Sequence, residues 1–183
     1  MKALIRPFAV ATLPLMIAAC SSMSPAGIFG STTTEIPSAI AAPTGAVLAM
    51  TLKGSGIQNY ECRAKADAAG GFDWVFVAPE AVLKDKNDAI VGRHFAGPTW
   101  EYGDGSQVTG KVLATVAAPQ VGNIPWLLLK GTAAGTPGAL AGMTYVQRTS
   151  TSGGTAPSDA CGAATAGTKK AVRYSADYLF YKG

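Results

Sequence analysis

Apolar and polar side chains alternate with a period of two through much of this chain, and this alternation constrains the fold more than any other feature. Along residues 172–180, valine, tyrosine, alanine and phenylalanine take every second position, with Arg173, Ser175 and Asp177 between them. Successive side chains of a β-strand point to opposite faces of its sheet, so the pattern predicts a strand with one buried face. No long segment has the 3.6-residue period of a helix. Strands are predicted over residues 46–52, 56–63, 72–76, 108–116, 124–131, 139–149 and 172–180.

Glycine-rich turns are predicted between these strands, at residues 53–56, 103–106 and 136–138. Only 14% of the residues are charged and 22 are glycines, which suits a compact sheet with tight turns. We therefore predict an all-β domain, either a single β-sandwich or a partly closed β-barrel. Short helical turns are expected, such as one over residues 79–83 that Pro79 would begin.

The first nineteen residues have the layout of a secretory signal. Lys2 and Arg6 precede an uncharged apolar run over residues 7–19. This run is too short for a membrane span, which needs about 20 apolar residues. It ends in Ile-Ala-Ala before Cys20, and this sequence resembles the lipobox of bacterial lipoproteins, in which the cysteine receives diacylglycerol and fatty acids such as palmitate. An ordinary signal with an incidental Cys20 is the alternative.

The same resemblance predicts a location in the cell envelope. A serine follows Cys20, and enterobacterial lipoproteins kept in the inner membrane have aspartate there. We therefore expect an outer-membrane lipoprotein that faces the periplasm. Residues 20–44 are rich in Ser, Thr, Ala, Pro and Gly and are predicted to form a flexible tether, followed by one domain over residues 45–183. The formal net charge of +4 falls to +2 once Lys2 and Arg6 leave with the signal, so we expect no nucleic-acid partner.

Two cysteines, Cys62 and Cys161, remain beyond Cys20. The periplasm is oxidising, so the pair is predicted to form a disulfide, with two separate thiols as the alternative. A metal site built from both cysteines and the one histidine is disfavoured, because the sequence has no CxxC spacing. We expect no metal and no cofactor, since an all-β chain of this size lacks a dinucleotide-binding βαβ unit.

Several segments in order along residues 45–183 resemble the domain-of-unknown-function 3455 family, which has exported bacterial and secreted fungal members. The resemblance implies a small domain outside the cytoplasm and carries no catalytic residue that can be transferred. The segments are GIQNYEC at 56–62, VGRHFAGPTWE at 91–101, DGS at 104–106, IPWLLL at 124–129, QRT at 147–149, GG at 153–154 with AP at 156–157, and YSADYLFY at 174–181.

The segment 94–106 is the richest in side chains that could carry chemistry. The only histidine, His94, precedes Glu101 and Asp104, and a histidine near carboxylates can act as a general acid or base. Trp100, like Trp126 further on, could form an apolar platform for a ring-shaped ligand. Each residue also has a structural interpretation: a hydrogen-bonded histidine between strands, core tryptophans and a hairpin turn at Asp104.

The sequence favours a binding or interaction module for a small molecule, a glycan or an envelope partner. It has no GxSxG, HExxH or Walker motif. A small hydrolase-like enzyme using His94 with Glu101 or Asp104 is the first alternative, and a purely structural envelope protein is the second. Arg148 is expected to pair with a buried carboxylate such as Asp177. The sequence indicates no oligomeric state.

Overall fold

Eight antiparallel strands form one closed ring in the computed structural model, which describes residues 35–66 and 70–183. Each strand pairs with the next along the chain, and the last pairs with the first. The all-β prediction is confirmed. Of the sandwich and the partly closed barrel that the sequence left open, the structure favours the barrel, and its ring of strands is closed. Only short 3-10 turns, Ser38–Ile40 and Ala163–Thr165, accompany the strands within this part of the chain. The strands are β1 Val47–Ala64, β2 Phe72–Lys84, β3 Ile90–Phe95, β4 Thr99–Tyr102, β5 Gln107–Val116, β6 Trp126–Ala133, β7 Tyr145–Gly153 and β8 Lys169–Lys182.

The alternation in β8 builds the barrel interior. Tyr174, Ala176, Tyr178 and Phe180 are buried and belong to the main hydrophobic core. The intervening residues face outward, so one strand separates the core from the surface as its sequence predicts. No helix in the described residues has the length and hydropathy of a membrane span.

The turn predicted at residues 53–56 is wrong, because β1 runs through it without a break. A side chain at Gly54 would place its Cβ 2.5 Å from the Tyr178 ring, and one at Gly56 would place it 2.0 Å from the Glu80 carbonyl oxygen. These glycines therefore allow close approach of the two neighbouring strands, β8 at Gly54 and β2 at Gly56, and they form no turn.

The helical turn predicted from Pro79 is also wrong, since residues 79–83 lie within β2. Proline has no backbone N–H, so it occurs in a strand only where no neighbouring strand needs a hydrogen bond from that position. β2 pairs with β3 only from Ala81 to Lys84, so Pro79 has no strand to donate to on that side. Opposite Pro79, β1 shifts register between Asn59 and Tyr60.

Strands β3 and β4 form a short hairpin that sequence periodicity did not predict. β4 pairs with β5 only as far as Thr109, and β3 pairs with β2 only beyond Pro79. The barrel wall is therefore lower at this hairpin than at the long strands on either side. A gap therefore opens between the part of β2 before Ala81 and the part of β5 after Thr109, neither of which pairs with the hairpin.

The opposite end of the barrel is closed by the loop between β6 and β7. Leu140 and Met143 of this loop are buried in the main core. The predicted strand 139–149 is thus correct only from Tyr145 onward. Its first residues fold over the barrel end, where Leu140 N–H donates to Ser106 Oγ at 3.0 Å.

The described part of the predicted tether, residues 35–44, packs on the outside of the barrel. Ile40 is completely buried against Trp126 and Leu128, which point outward from β6. The Gln147 side-chain amide donates to the Ile40 carbonyl oxygen. The packed domain therefore begins before residue 45, because these outward apolar side chains need a cover. The predicted signal, Cys20 and the tether as far as residue 34 lie outside the described residues.

A disulfide joins Cys62 to Cys161, as the sequence predicts. It ties the end of β1 to the long loop between β7 and β8. In the same loop, the Asp159 carbonyl oxygen accepts a hydrogen bond from the indole N–H of Trp74 at 2.9 Å. The loop is thereby fixed beside the open end of the barrel.

Candidate functional site

The open end of the barrel contains a cavity of about 490 Å³. Ligand pockets commonly have volumes of about 300 to 1,000 Å³, so this cavity has room for one small molecule. Its wall is mostly apolar and includes one charged side chain, an arginine, and no carboxylate among the described residues. The wall consists of Gln58, Tyr60, Phe76, Val77, Pro79, His94, Gly97, Pro98, Trp100, Val112, Ile124, Pro125, Leu127, Leu129, Arg148 and Tyr178.

The rim of this cavity is apolar and exposed. Phe76 and Val77 on β2 are 48% and 46% accessible to solvent, and Val112 on β5 is 49% accessible. These strands flank the gap above the β3–β4 hairpin. Exposed apolar residues grouped around an opening mark a place where an apolar partner enters or docks.

His94 and Trp100 lie side by side on the β3–β4 hairpin and form part of the cavity wall. Their rings stack with centroids 4.5 Å apart and planes 9° apart, and the His94 ring also lies 5.0 Å from that of Tyr178. The two residues are opposite each other in the hairpin register and both point into the barrel. The structure therefore brings these two predicted site residues together.

His94 is neutral at ordinary pH. The ring is 3% exposed, and burial lowers its pKa from 6.5 to about 4 despite a hydrogen bond to the Thr99 carbonyl oxygen. That bond joins Nδ1 to the oxygen at 2.8 Å. A carbonyl oxygen can only accept, so Nδ1 carries the hydrogen and Nε2 is left as an acceptor.

Glu101 does not join His94, because its side chain lies on the outer face of the barrel. Neighbouring residues of a strand point to opposite sides, so the inward Trp100 requires an outward Glu101. Its Oε1 accepts from Arg93 Nε at 2.7 Å, and this arginine lowers the pKa of the carboxyl group.

Asp104 lies at the closed end of the barrel, in the turn between β4 and β5. Its carboxylate accepts hydrogen bonds from the Ser106 hydroxyl at 2.6 Å and from the Ala139 N–H at 2.7 Å. These bonds lower the pKa of Asp104 and hold the closing loop. Neither Glu101 nor Asp104 therefore lies beside His94, and the acid–base pair that the sequence suggested does not form.

Trp126 is buried on the outer side of the barrel beneath Ile40, and it lines no part of the cavity. Its position follows from the alternation in β6, which points Leu127 and Leu129 inward. No group of three His, Cys, Asp or Glu side chains in residues 35–66 and 70–183 is placed to hold a metal.

Arg148 projects into the cavity from β7, opposite Tyr178 of β8. Its Nε and Nη2 donate to the Pro125 carbonyl oxygen at 3.0 and 2.8 Å. None of the ion pairs among the described residues includes it, so the expected partnership with Asp177 is wrong. Asp177 points away because its neighbour Tyr178 points inward. Burial lowers the pKa of the Arg148 guanidinium.

Two buried hydrogen-bond donors of the cavity wall have no acceptor in the described structure. They are Nε2 of Gln58, whose side chain is 2% exposed, and Nε1 of Trp100. Most buried polar groups in folded proteins are hydrogen-bonded, so an unpaired donor on a residue that lines a cavity indicates a missing acceptor. Trp126 Nε1 is also unpaired, but it lies outside the barrel.

Sequence reasoning did not identify Gln58 or the site role of Arg148. A signal for both was present: each occupies an inward position of a strand whose other inward residues are apolar, glycine or aromatic. Arg148 follows the inward Val146, and Gln58 lies between the inward Gly56 and Tyr60. A long polar residue at such a position is expensive to bury and indicates a function.

The fold and the cavity together define a class: a small up-and-down β-barrel, closed at one end and open at the other, with a mostly apolar interior. The chain belongs to the family described as Protein of unknown function (DUF3455), whose model matches residues 43–182. The predicted family resemblance is thereby confirmed. No match was found among curated proteins, and none among solved structures.

Proposed function

We propose that this protein is a binding module whose open barrel end takes up one small molecule with a largely apolar body. The observation that carries the proposal is the cavity of about 490 Å³ with an exposed apolar rim. Barrels of eight strands have an interior just wide enough to be filled by side chains or to hold one small ligand. Here Gly54 and Gly110 leave room for the rings of Tyr178 and Trp100, two residues of the cavity wall.

A small molecule suits this cavity better than a glycan does. Sugars need many hydrogen-bonding groups, whereas this wall offers mainly aliphatic and aromatic side chains with a few donors. Apolar walls with a few placed polar groups are typical of small-molecule sites.

The hydrolase-like alternative has little support from the geometry. A general base works best with a pKa near the working pH, and burial lowers the pKa of His94 to about 4, so its free Nε2 is a weak base. The nearest candidate carboxylates, Glu101 and Asp104, are occupied at the outer face and at the closed end.

Blocking the mouth tests the proposal. Val112→Trp adds a large side chain at the rim, and we expect the affinity for the neutral fluorescent probe pyrenebutanol to fall by about tenfold or more. The physical reason is that the indole occupies the space between β2 and β5 through which the probe enters. Probe fluorescence, titrated with the purified full chain, measures the affinity.

Leu113→Trp is the matched control. Leu113 is the next residue on the same strand, is 54% exposed, and does not line the cavity. Pyrenebutanol should bind this variant as it binds the wild type. Equal affinity in all three proteins, or no binding to the wild type, would refute the proposed cavity function.

We also propose that the module is anchored at the outer membrane through a lipid on Cys20. The support is the signal-like run and the lipobox resemblance, together with Ser21 after the cysteine. One acyl chain gives only marginal membrane binding and two or more hold firmly, so a triacylated cysteine would remain anchored.

Mass spectrometry of the protein from native cells is expected to find a chain that starts at Cys20 and carries diacylglycerol and an amide-linked acyl group. Cys20→Ala should abolish the added mass and release the protein from the membrane fraction. Residues 1–19 still attached, or a processed chain without fatty acid, would contradict the anchor.

A further inference from the structure

We propose that the ligand of this cavity is a carboxylic acid with an apolar body, bound with its single negative charge against Arg148 and the Gln58 amide. This inference rests on the proposed function and specifies the chemical class of the ligand. The body would lie along the apolar wall toward Val112 and Phe76.

The first support is the unpaired charge of Arg148. Arg148 is half-buried, and a guanidinium in apolar surroundings is unfavourable unless an anion compensates it; no carboxylate of the described residues does so. Its partners there are neutral: it donates to the Pro125 carbonyl oxygen and lies against the Tyr178 hydroxyl. Arginine has five N–H donors, so donors remain for an anionic ligand.

The second support is independent of charge. The Gln58 side chain is 98% removed from solvent, and its Nε2 lacks an acceptor within the described residues. Gln58 lines the cavity, so a rotation of its side chain toward the interior would let an acceptor atom of a ligand satisfy this donor. The indole N–H of Trp100 is a further donor without a partner on the same wall. Cation and donors together favour a ligand with several acceptor oxygens.

The third support is the amount of charge that the cavity can neutralise. His94 is neutral near pH 7 because burial lowers its pKa to about 4, and it adds no positive charge. Arg148 is the only cation that the described residues contribute to the wall. A carboxylate brings one negative charge, whereas a phosphate monoester brings about 1.5 to 2, which would leave an excess in apolar surroundings. A neutral ligand would leave the guanidinium uncompensated.

A matched pair of probes tests the inference. Pyrenebutanoate and pyrenebutanol share one apolar body and differ in the carboxylate. We expect the full-length wild-type chain to bind pyrenebutanoate about tenfold more tightly or better, because hydrogen bonds to charged groups are the stronger ones. Arg148→Gln should lower the affinity for the acid by about 10- to 100-fold and change that for the alcohol by less than about threefold.

Arg173→Gln is the matched control, since Arg173 is an exposed arginine on the outer face of β8. It should change neither affinity. Arg148→Lys keeps the charge and should bind the acid with an intermediate affinity. Thermal unfolding of each variant checks the fold. If Arg148→Gln unfolds, a larger ligand-induced rise in wild-type melting temperature with the acid than with the alcohol provides the same comparison.

The outcomes separate the two proposals. Equal binding of acid and alcohol, unaffected by Arg148→Gln, would overturn the carboxylate and leave the apolar cavity in place. Failure of both probes to bind would overturn the cavity function and the carboxylate with it.

Discussion

Replacing Cys62 and Cys161 together by serine is expected to lower the free energy of unfolding by roughly 4 to 5 kcal/mol. The disulfide closes a loop with a sequence separation of 99 residues, and the entropy that such a cross-link removes from the unfolded chain grows with loop length. Whole domains are stable by only about 5 to 15 kcal/mol, so the loss would be a large share of the total. The double variant is used because a single substitution would leave an unpaired thiol.

Urea unfolding in the presence and absence of a thiol reductant measures the effect. Reductant should shift the wild-type midpoint to lower urea and leave the double variant unchanged. A wild type as stable in reductant as without it would contradict the prediction. The binding cavity does not contain the disulfide, so pyrenebutanol should still bind the folded double variant.

Acidification is expected to destabilise the protein through His94. Burial lowers its folded-state pKa to about 4, while an unfolded chain has the ordinary value of 6.5. Above pH 6.5 both states hold a neutral ring and the difference has no effect. As the pH falls from 6.5 toward 4, the unfolded state gains a proton that the folded state does not, so the free energy of unfolding falls by roughly 3 kcal/mol.

The comparison is with His94→Asn, whose amide can still donate to the Thr99 carbonyl oxygen but does not titrate. Its stability should change less between pH 6.5 and 5 than that of the wild type. Carboxylates with lowered pKa values, such as Glu101 and Asp104, also stabilise the fold, but that stabilisation is lost at lower pH, where they become protonated. Because the chain has one histidine, its NMR signal reports the pKa directly. A midpoint near 6.5 would show an imidazole open to water.

Local sequence patterns predicted the parts of the fold that local geometry decides. The alternation in residues 172–180 predicted a half-buried strand, and β8 has the predicted inward face. The same reasoning failed at Gly54 and Gly56, because glycine is used both for turns and for close contact. Only the Tyr178 ring on the neighbouring strand β8, which lies against Gly54, shows which use applies.

The candidate site was half predicted for a related reason. His94 and Trp100 were identified by residue type and do meet, since they face each other in one short hairpin. Glu101 and Asp104 are as near in sequence, yet the strand alternation and the turn direct them to the outer face and the closed end. Arg148 and Gln58 come from strands far apart in the chain, and no local pattern brings them to one cavity.

The sequence by itself determined that the chain forms strands, which side of β8 is apolar, and which two cysteines of the domain pair. Those features depend on side-chain period and residue type, which act over a few neighbours or follow from composition. The tertiary structure alone decided that the sheet closes into a ring, that the short hairpin opens a gap, and that no carboxylate of residues 35–66 and 70–183 pairs with Arg148. Each of these depends on the register between strands distant in sequence, where pairing and burial are set by the whole barrel together.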